Sequence, residues 1–161
     1  MDPKSTMGAL VSADHLDKVD SYVKLAQEEG GTILMGGKRI DKDGFYYEPT
    51  VIEGLDENCR TNQEEIFGPV VTLNPFKDEG NAIQIANSTR YGLSCTIWTS
   101  DLKRAHRVSH AVQSGIIWVN CWLVRDLRTP FGGMKDSGIG REGGNDALRF
   151  FSEPQNVCIK L

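Results

Sequence analysis

No apolar run in this chain approaches the roughly 20 residues of a helical membrane span, so no membrane partner is expected. Basic charge is scarce too. Lys and Arg number 18 against 22 Asp and Glu, for a formal net charge of −4. Nucleic-acid binding favours a basic stripe, so no nucleic-acid partner is expected either. The four cysteines, at 59, 95, 121 and 158, are scattered without a C-x-x-C pair. That usage fits reduced, partly buried thiols in a cytoplasmic protein. Neither end reads as a signal peptide, and no internal repeat, low-complexity tract or linker stands out. What is present is ordinary: 39% hydrophobic and 25% charged residues, in a length that supports one compact domain.

The pattern along the chain is that of an α/β protein. Leu16, Val19, Tyr22, Val23 and Ala26 recur at three- and four-residue steps, predicting a helix over 15–29 that Gly30-Gly31 ends. Short apolar runs at 32–35 and 45–51 are bounded by glycine and charge, and read as strands of a small excursion rather than of the central sheet. From Pro69 the chain alternates regularly. Strands are expected over 70–76, 95–98 and 116–119, and helices over 79–88 and 102–112. Near-continuous apolar strands separated by helices of about ten residues indicate a parallel sheet with helices on both faces. A last helix over 145–151 is expected to lead, past Pro154, into a terminal strand over 156–161. An uncovered strand edge is a liability, so this one is expected to pair with something.

Three features imitate chemistries that their surroundings do not support. Residues 138–143 match G-x-G-x-x-G, but a Gly-rich loop precedes them where the dinucleotide fingerprint needs a strand and a βαβ unit. A tight turn with close backbone approach is the better reading. His106 and His110 have the i, i+4 spacing of a zinc site, yet Arg107 stands where the base of H-E-x-x-H belongs and no third ligand is evident. No metal is expected. Cys121 ends a strand, where a nucleophile could sit, but no histidine neighbours it in sequence to lower its pKa. Arg125 is a cation near enough to bear on that pKa.

The strongest signal is Glu64-Glu65-Ile66-Phe67-Gly68-Pro69-Val70, an acidic pair and an aromatic set before a Gly-Pro break at the mouth of a strand. A carboxylate so placed can accept hydrogen bonds from a sugar diol. Alone, such a heptad is more often a solvated loop. Downstream follow Ser114-Gly115-Ile116-Ile117-Trp118-Val119-Asn120 and then Pro130-Phe131-Gly132-Gly133-Met134-Lys135-Asp136-Ser137-Gly138-Ile139-Gly140-Arg141-Glu142. In this order the three blocks resemble the C-terminal part of the NAD-dependent aldehyde dehydrogenases, over about residues 2–161. The run from Cys121 and Trp122 through Arg125-Asp126-Leu127-Arg128-Thr129-Pro130-Phe131 is similar to the branch that oxidises 2-aminomuconate and 2-hydroxymuconate semialdehydes.

The resemblance implies roles for particular residues. Glu65 accepts hydrogen bonds from the nicotinamide ribose of NAD, and Phe67 packs against the nicotinamide. Arg125 carries a substrate carboxylate, beside Trp122 and Phe131 in the substrate funnel. The alternative for Arg125 is an ion pair with Asp126 that braces the loop. Residues 1–153 are then part of the catalytic domain, and residues 154–161 a strand that crosses to a partner subunit in a homo-oligomer. No catalytic residue is expected within the chain: the family's cysteine nucleophile, its general-base glutamate and its cofactor domain are expected before Met1. Activity is therefore expected of a complete enzyme and not of this chain alone. The competing class is a non-catalytic module that assembles with full-length subunits through its terminal strand.

Overall fold

The computed structural model describes residues 4–161. Asp2 and Pro3, the start of the resemblance, lie outside the described residues. The chain divides into two compact units, with the boundary between Phe76 and Lys77.

The first unit is built on helix α1, Ala13–Glu28. Ser12 caps it, its hydroxyl accepting from the His15 amide at 3.1 Å. Val19, Val23 and Ala26 form its buried stripe, four and then three residues apart. The helix ends where Gly30 turns to a φ of 91°, as expected of that glycine pair. Strand β1, Thr32–Met35, runs antiparallel to β2, Thr50–Glu53. After the single turn α2, Arg60–Gln63, strand β3, Val70–Leu73, pairs in parallel with β2. Val19, Val23 and Tyr47 make the core, with Leu10, Leu16, Ile33, Ile66 and Val70 packed against them. Each aliphatic side chain so buried contributes roughly 1.5–3 kcal/mol.

In the second unit, α3, Glu79–Asn87, and α4, Leu102–Ala111, are capped by Asp78 and Asp101. Glu79 joins the two helices, holding Arg107 at 2.8 Å and Arg104 at 3.3 Å. Strand β4, Tyr91–Gly92, is followed by β5, Ser94–Ile97, which pairs in parallel with β6, Ile116–Val119, across the α4 crossover. Strand β7, Met134–Lys135, pairs antiparallel with β4. Helix α5, Gly144–Phe150, is the last element.

These facts bear out an α/β fold and revise its details. The expected excursion is instead part of a sheet, because β2 bonds to β3 through four residues on each side. Parallel pairing occurs in two separate sheets, β1-β2-β3 and β5-β6, where one parallel sheet was expected. Apolar runs disclose which segments are strands, but pairing is a non-local choice between edges. Among the described residues, 156–161 join no sheet. A strand exists only through its pairing partner, and none of the edges among the described residues takes this segment up.

Candidate functional site

The expected site residues fall into two groups, one in each unit. In the first unit, α2 sets up the loop of residues 64–68. Cys59 offers this turn no side-chain cap. The Glu29 carboxylate, at the end of α1, takes over: it accepts from the Arg60 amide at 2.8 Å, the Thr61 amide at 3.1 Å and the Thr61 hydroxyl at 2.6 Å. Burial raises the Glu29 pKa, but the Thr61 and Arg60 hydrogen bonds outweigh it and the net shift is downward. Glu64 is then gripped from two sides. Arg60 donates to both of its oxygens at 2.9 and 3.0 Å, and the Tyr22 hydroxyl donates at 2.6 Å. That hydrogen bond to Glu64 pushes the Tyr22 pKa upward.

Glu65 and Phe67 behave differently from Glu64. The Glu65 side chain is exposed and, among the described residues, has no hydrogen-bond partner. The Phe67 ring is 75% exposed, on a backbone with φ of 57°. A bulky residue in the left-handed region costs roughly 1–3 kcal/mol, which the surrounding contacts must hold in place. Gly68 explains how the loop lies so close to α1: a Cβ there would come within 2.5 Å of a Val19 methyl in the core. Beside the ring is a cleft of about 490 Å³, lined by Met7, Leu10, Tyr47 and Pro69 with small residues between them.

In the second unit, β6 ends at Val119 and is followed by Asn120, whose φ is 54°. Its side-chain Oδ1 accepts from the Thr99 backbone N–H at 2.9 Å and its Nδ2 donates to the Thr99 carbonyl at 2.8 Å, fixing the exit of the strand. Trp118, in β6, donates to the Val124 carbonyl at 2.8 Å and meets the Trp122 ring edge-on, centroids 5.3 Å apart. The loop is thus anchored at its start while Trp122 remains 61% exposed. Asp126 pairs with Arg128, accepting from the guanidinium Nε at 2.9 Å, and this lowers the Asp126 pKa. Arg125 takes no part in that pair. Its guanidinium lies over the Phe131 ring, 4.2 Å from the centroid. Among the described residues it has no carboxylate partner. Phe131 is itself held by an antiparallel bridge to Glu142, with N–H···O distances of 2.7 and 2.8 Å.

The look-alike motifs resolve in structural terms. Gly138, Gly140 and Gly143 all have positive φ, the tight turns expected of that loop. His106 and His110 are exposed on α4, and among the described residues no cluster of three or more His, Cys, Asp or Glu could hold a metal. Cys121 is half-buried, and burial raises the thiol pKa of Cys95 and of Cys59. Among the described residues no helix is long and apolar enough to cross a membrane. Sequence reasoning missed the α1 side chains that reach the 64–68 loop. Lys18 donates to the Glu65 carbonyl at 2.8 Å, and His15 lies 2.6 Å from the Phe67 carbonyl. Their signal was the polar pair His15 and Lys18 beside the apolar stripe that holds Tyr22.

Residues 1–157 match the aldehyde dehydrogenase family, and the chain belongs to it. It is 54% identical over 160 residues to a 2-aminomuconic 6-semialdehyde dehydrogenase of Pseudomonas sp., covering 96% of this chain and 33% of that protein. It is 46% identical over 165 residues to a 2-hydroxymuconic semialdehyde dehydrogenase of Pseudomonas sp. (strain CF600), covering 99% of this chain and 34% of the relative. The fold is similar to an aldehyde dehydrogenase from Bacillus cereus solved with NAD+, with a TM-score of 0.91 and 37% identity. That likeness covers 95% of this chain and 31% of the solved one. The chain spans about a third of the length of the curated relatives it matches.

Proposed function

We propose that this chain is the C-terminal part of the catalytic domain of an NAD-dependent aldehyde dehydrogenase, cytoplasmic and homo-oligomeric, that oxidises a carboxylated semialdehyde of the muconate type to its acid. The observation that carries the substrate class is the Arg125 guanidinium, free of any carboxylate among the described residues and held over Phe131. A planar guanidinium so presented can donate two parallel hydrogen bonds to a substrate carboxylate. Phe131 and the exposed Trp122 ring supply apolar surface for the carbon chain between that carboxylate and the aldehyde. The semialdehyde names of the two relatives support the same class.

The first unit fits the cofactor. The exposed Glu65 carboxylate, unpaired among the described residues, can accept from two vicinal hydroxyls, and the outward Phe67 ring offers a flat apolar wall. When bound, NAD accepts the hydride that leaves the substrate carbon. In this reading residues 1–153 belong to the catalytic domain, residues 154–161 extend the sheet of a partner subunit, and the nucleophile and general base come from outside residues 1–161. The experiment is a direct comparison. The full-length protein carrying this sequence should form NADH from a muconate-type semialdehyde with a kcat/KM at least about tenfold above that for a neutral aldehyde of similar length, one charge-assisted contact's effect. The purified 161-residue chain should form none. Equal use of both aldehydes would remove the carboxylate assignment, and NADH from the chain alone would remove the assignment of chemistry to another segment.

A further inference from the structure

Trp118 is the buried position of strand β6, and its register against β5, opposite Thr96, fixes the backbone that carries it. Beyond the strand the chain turns through residues 120–124. Two of these hold a left-handed backbone without being glycine, Asn120 with φ of 54° and Leu123 with φ of 55°. Such a conformation is costly for a bulky residue and persists only where neighbouring contacts impose it. Asn120 is held through its side chain by Thr99. The Leu123 side chain is exposed, so burial does not hold it. The residues on either side of it are held instead, and both by Trp118. The Trp122 ring meets the Trp118 indole edge-on at 5.3 Å, and the indole Nε1 donates to the Val124 carbonyl at 2.8 Å.

The Val124 carbonyl and the Arg125 N–H belong to one planar peptide unit, so a bond to that oxygen also sets the direction in which Arg125 leaves the chain. Further on, the Leu127 carbonyl accepts from the Gly144 amide at 3.1 Å. Arg125 therefore lies between two tied carbonyls, with its guanidinium over Phe131. We infer that Trp118 is a positioning residue for substrate selection, aiming Arg125 through the Val124 carbonyl and setting the Trp122 wall through the ring contact. This rests on the reading that Arg125 receives a substrate carboxylate. A guanidinium already in place loses less freedom when the carboxylate arrives, so the indole bond should appear as preference for the acidic aldehyde.

The test uses the full-length protein carrying this sequence, at saturating NAD, with kcat and KM measured for a muconate-type semialdehyde and for a neutral aldehyde of similar length. Trp118→Phe keeps an aromatic ring against Trp122 and removes the donor. It should raise KM for the acidic aldehyde about threefold to tenfold, the scale of one hydrogen bond. KM for the neutral aldehyde and kcat for both should stay nearly constant, and amide hydrogen exchange across residues 122–126 should speed up. Replacing Trp118 by benzothienylalanine, which puts sulfur where the indole N–H stands, keeps the ring shape and should repeat the pattern. It stands in if Trp118→Phe does not fold. An unchanged preference in the folded variants overturns the inference, as do equal losses for the two aldehydes, the mark of a merely structural indole. Arg125→Ala separates the two levels. Added to Arg125→Ala, Trp118→Phe should cost no further preference, because the group it aims is gone, and a fully additive loss overturns the inference. If Arg125→Ala abolishes the preference while the Trp118 variants leave it intact, only the positioning role falls. If Arg125→Ala leaves the preference unchanged, the carboxylate reading falls and takes the inference with it.

Discussion

The Arg125 guanidinium rests on the face of Phe131, 4.2 Å from the ring centroid, while its neighbour Asp126 is bound to Arg128. Adjacent charges in sequence have therefore chosen different partners. Among the described residues Asp126 pairs with Arg128 and no ion pair joins it to Arg125.

The first prediction concerns that arginine. In the full-length enzyme, Arg125→Ala should raise KM for the acidic semialdehyde at least about tenfold, since a desolvated charge-assisted contact contributes roughly 1.5–3 kcal/mol. A neutral aldehyde offers the guanidinium nothing to hold, so its KM should stay nearly constant. Arg128→Ala should have the smaller effect on KM, because its guanidinium is already spent on Asp126. Steady-state kinetics with the two aldehydes reads both outcomes, and equal losses for both would assign Arg125 to loop structure.

The second prediction is a pH dependence of stability. Tyr47 is buried, and its hydroxyl donates to Asp20 at 3.2 Å. Burial first, and then the Asp20 carboxylate, push its pKa from 10.0 up to about 12. The folded state thus holds this proton over a range in which the unfolded state has lost it. The contribution is complete below pH 10 and disappears as pH rises through about 12. Urea unfolding across that range should show stability falling, and Tyr47→Phe should abolish most of the slope. A slope that survives in the variant would place the effect on other groups.

A third prediction concerns the tail. Val157 and Ile159 are 68% and 76% exposed, on a segment that joins no sheet among the described residues. Exposed alternating apolar residues without a pairing partner favour association. The chain should therefore self-associate in light scattering, and deleting residues 156–161 should shift it toward the monomer. A monomer whose mass is unchanged by the deletion would remove the assembly role from this segment.

The sequence by itself determined the helices and the strands that carry a local period. The apolar stripe from Leu16 to Ala26 and the glycine pair after it located α1, and the unbroken Ile116–Val119 run located β6. Glu65, Phe67, Trp122, Arg125 and Phe131 could be proposed from the sequence because their motifs are contiguous. Helix α2 was not, because its N-terminal cap is supplied by Glu29, 31 residues before the Arg60 amide it accepts from. Strands β4 and β7 were not, because two-residue strands have no period and exist only through each other. The parallel pairing of β2 with β3, the choice of Arg128 over Arg125 by Asp126, and the grip of His15 and Lys18 on the 64–68 loop were likewise decided by tertiary structure. Periodicity encodes which face of a segment is buried. Hydrogen bonds and ion pairs go to whichever group the folded chain brings within about 3 Å, and that distance is not written in the order of the residues.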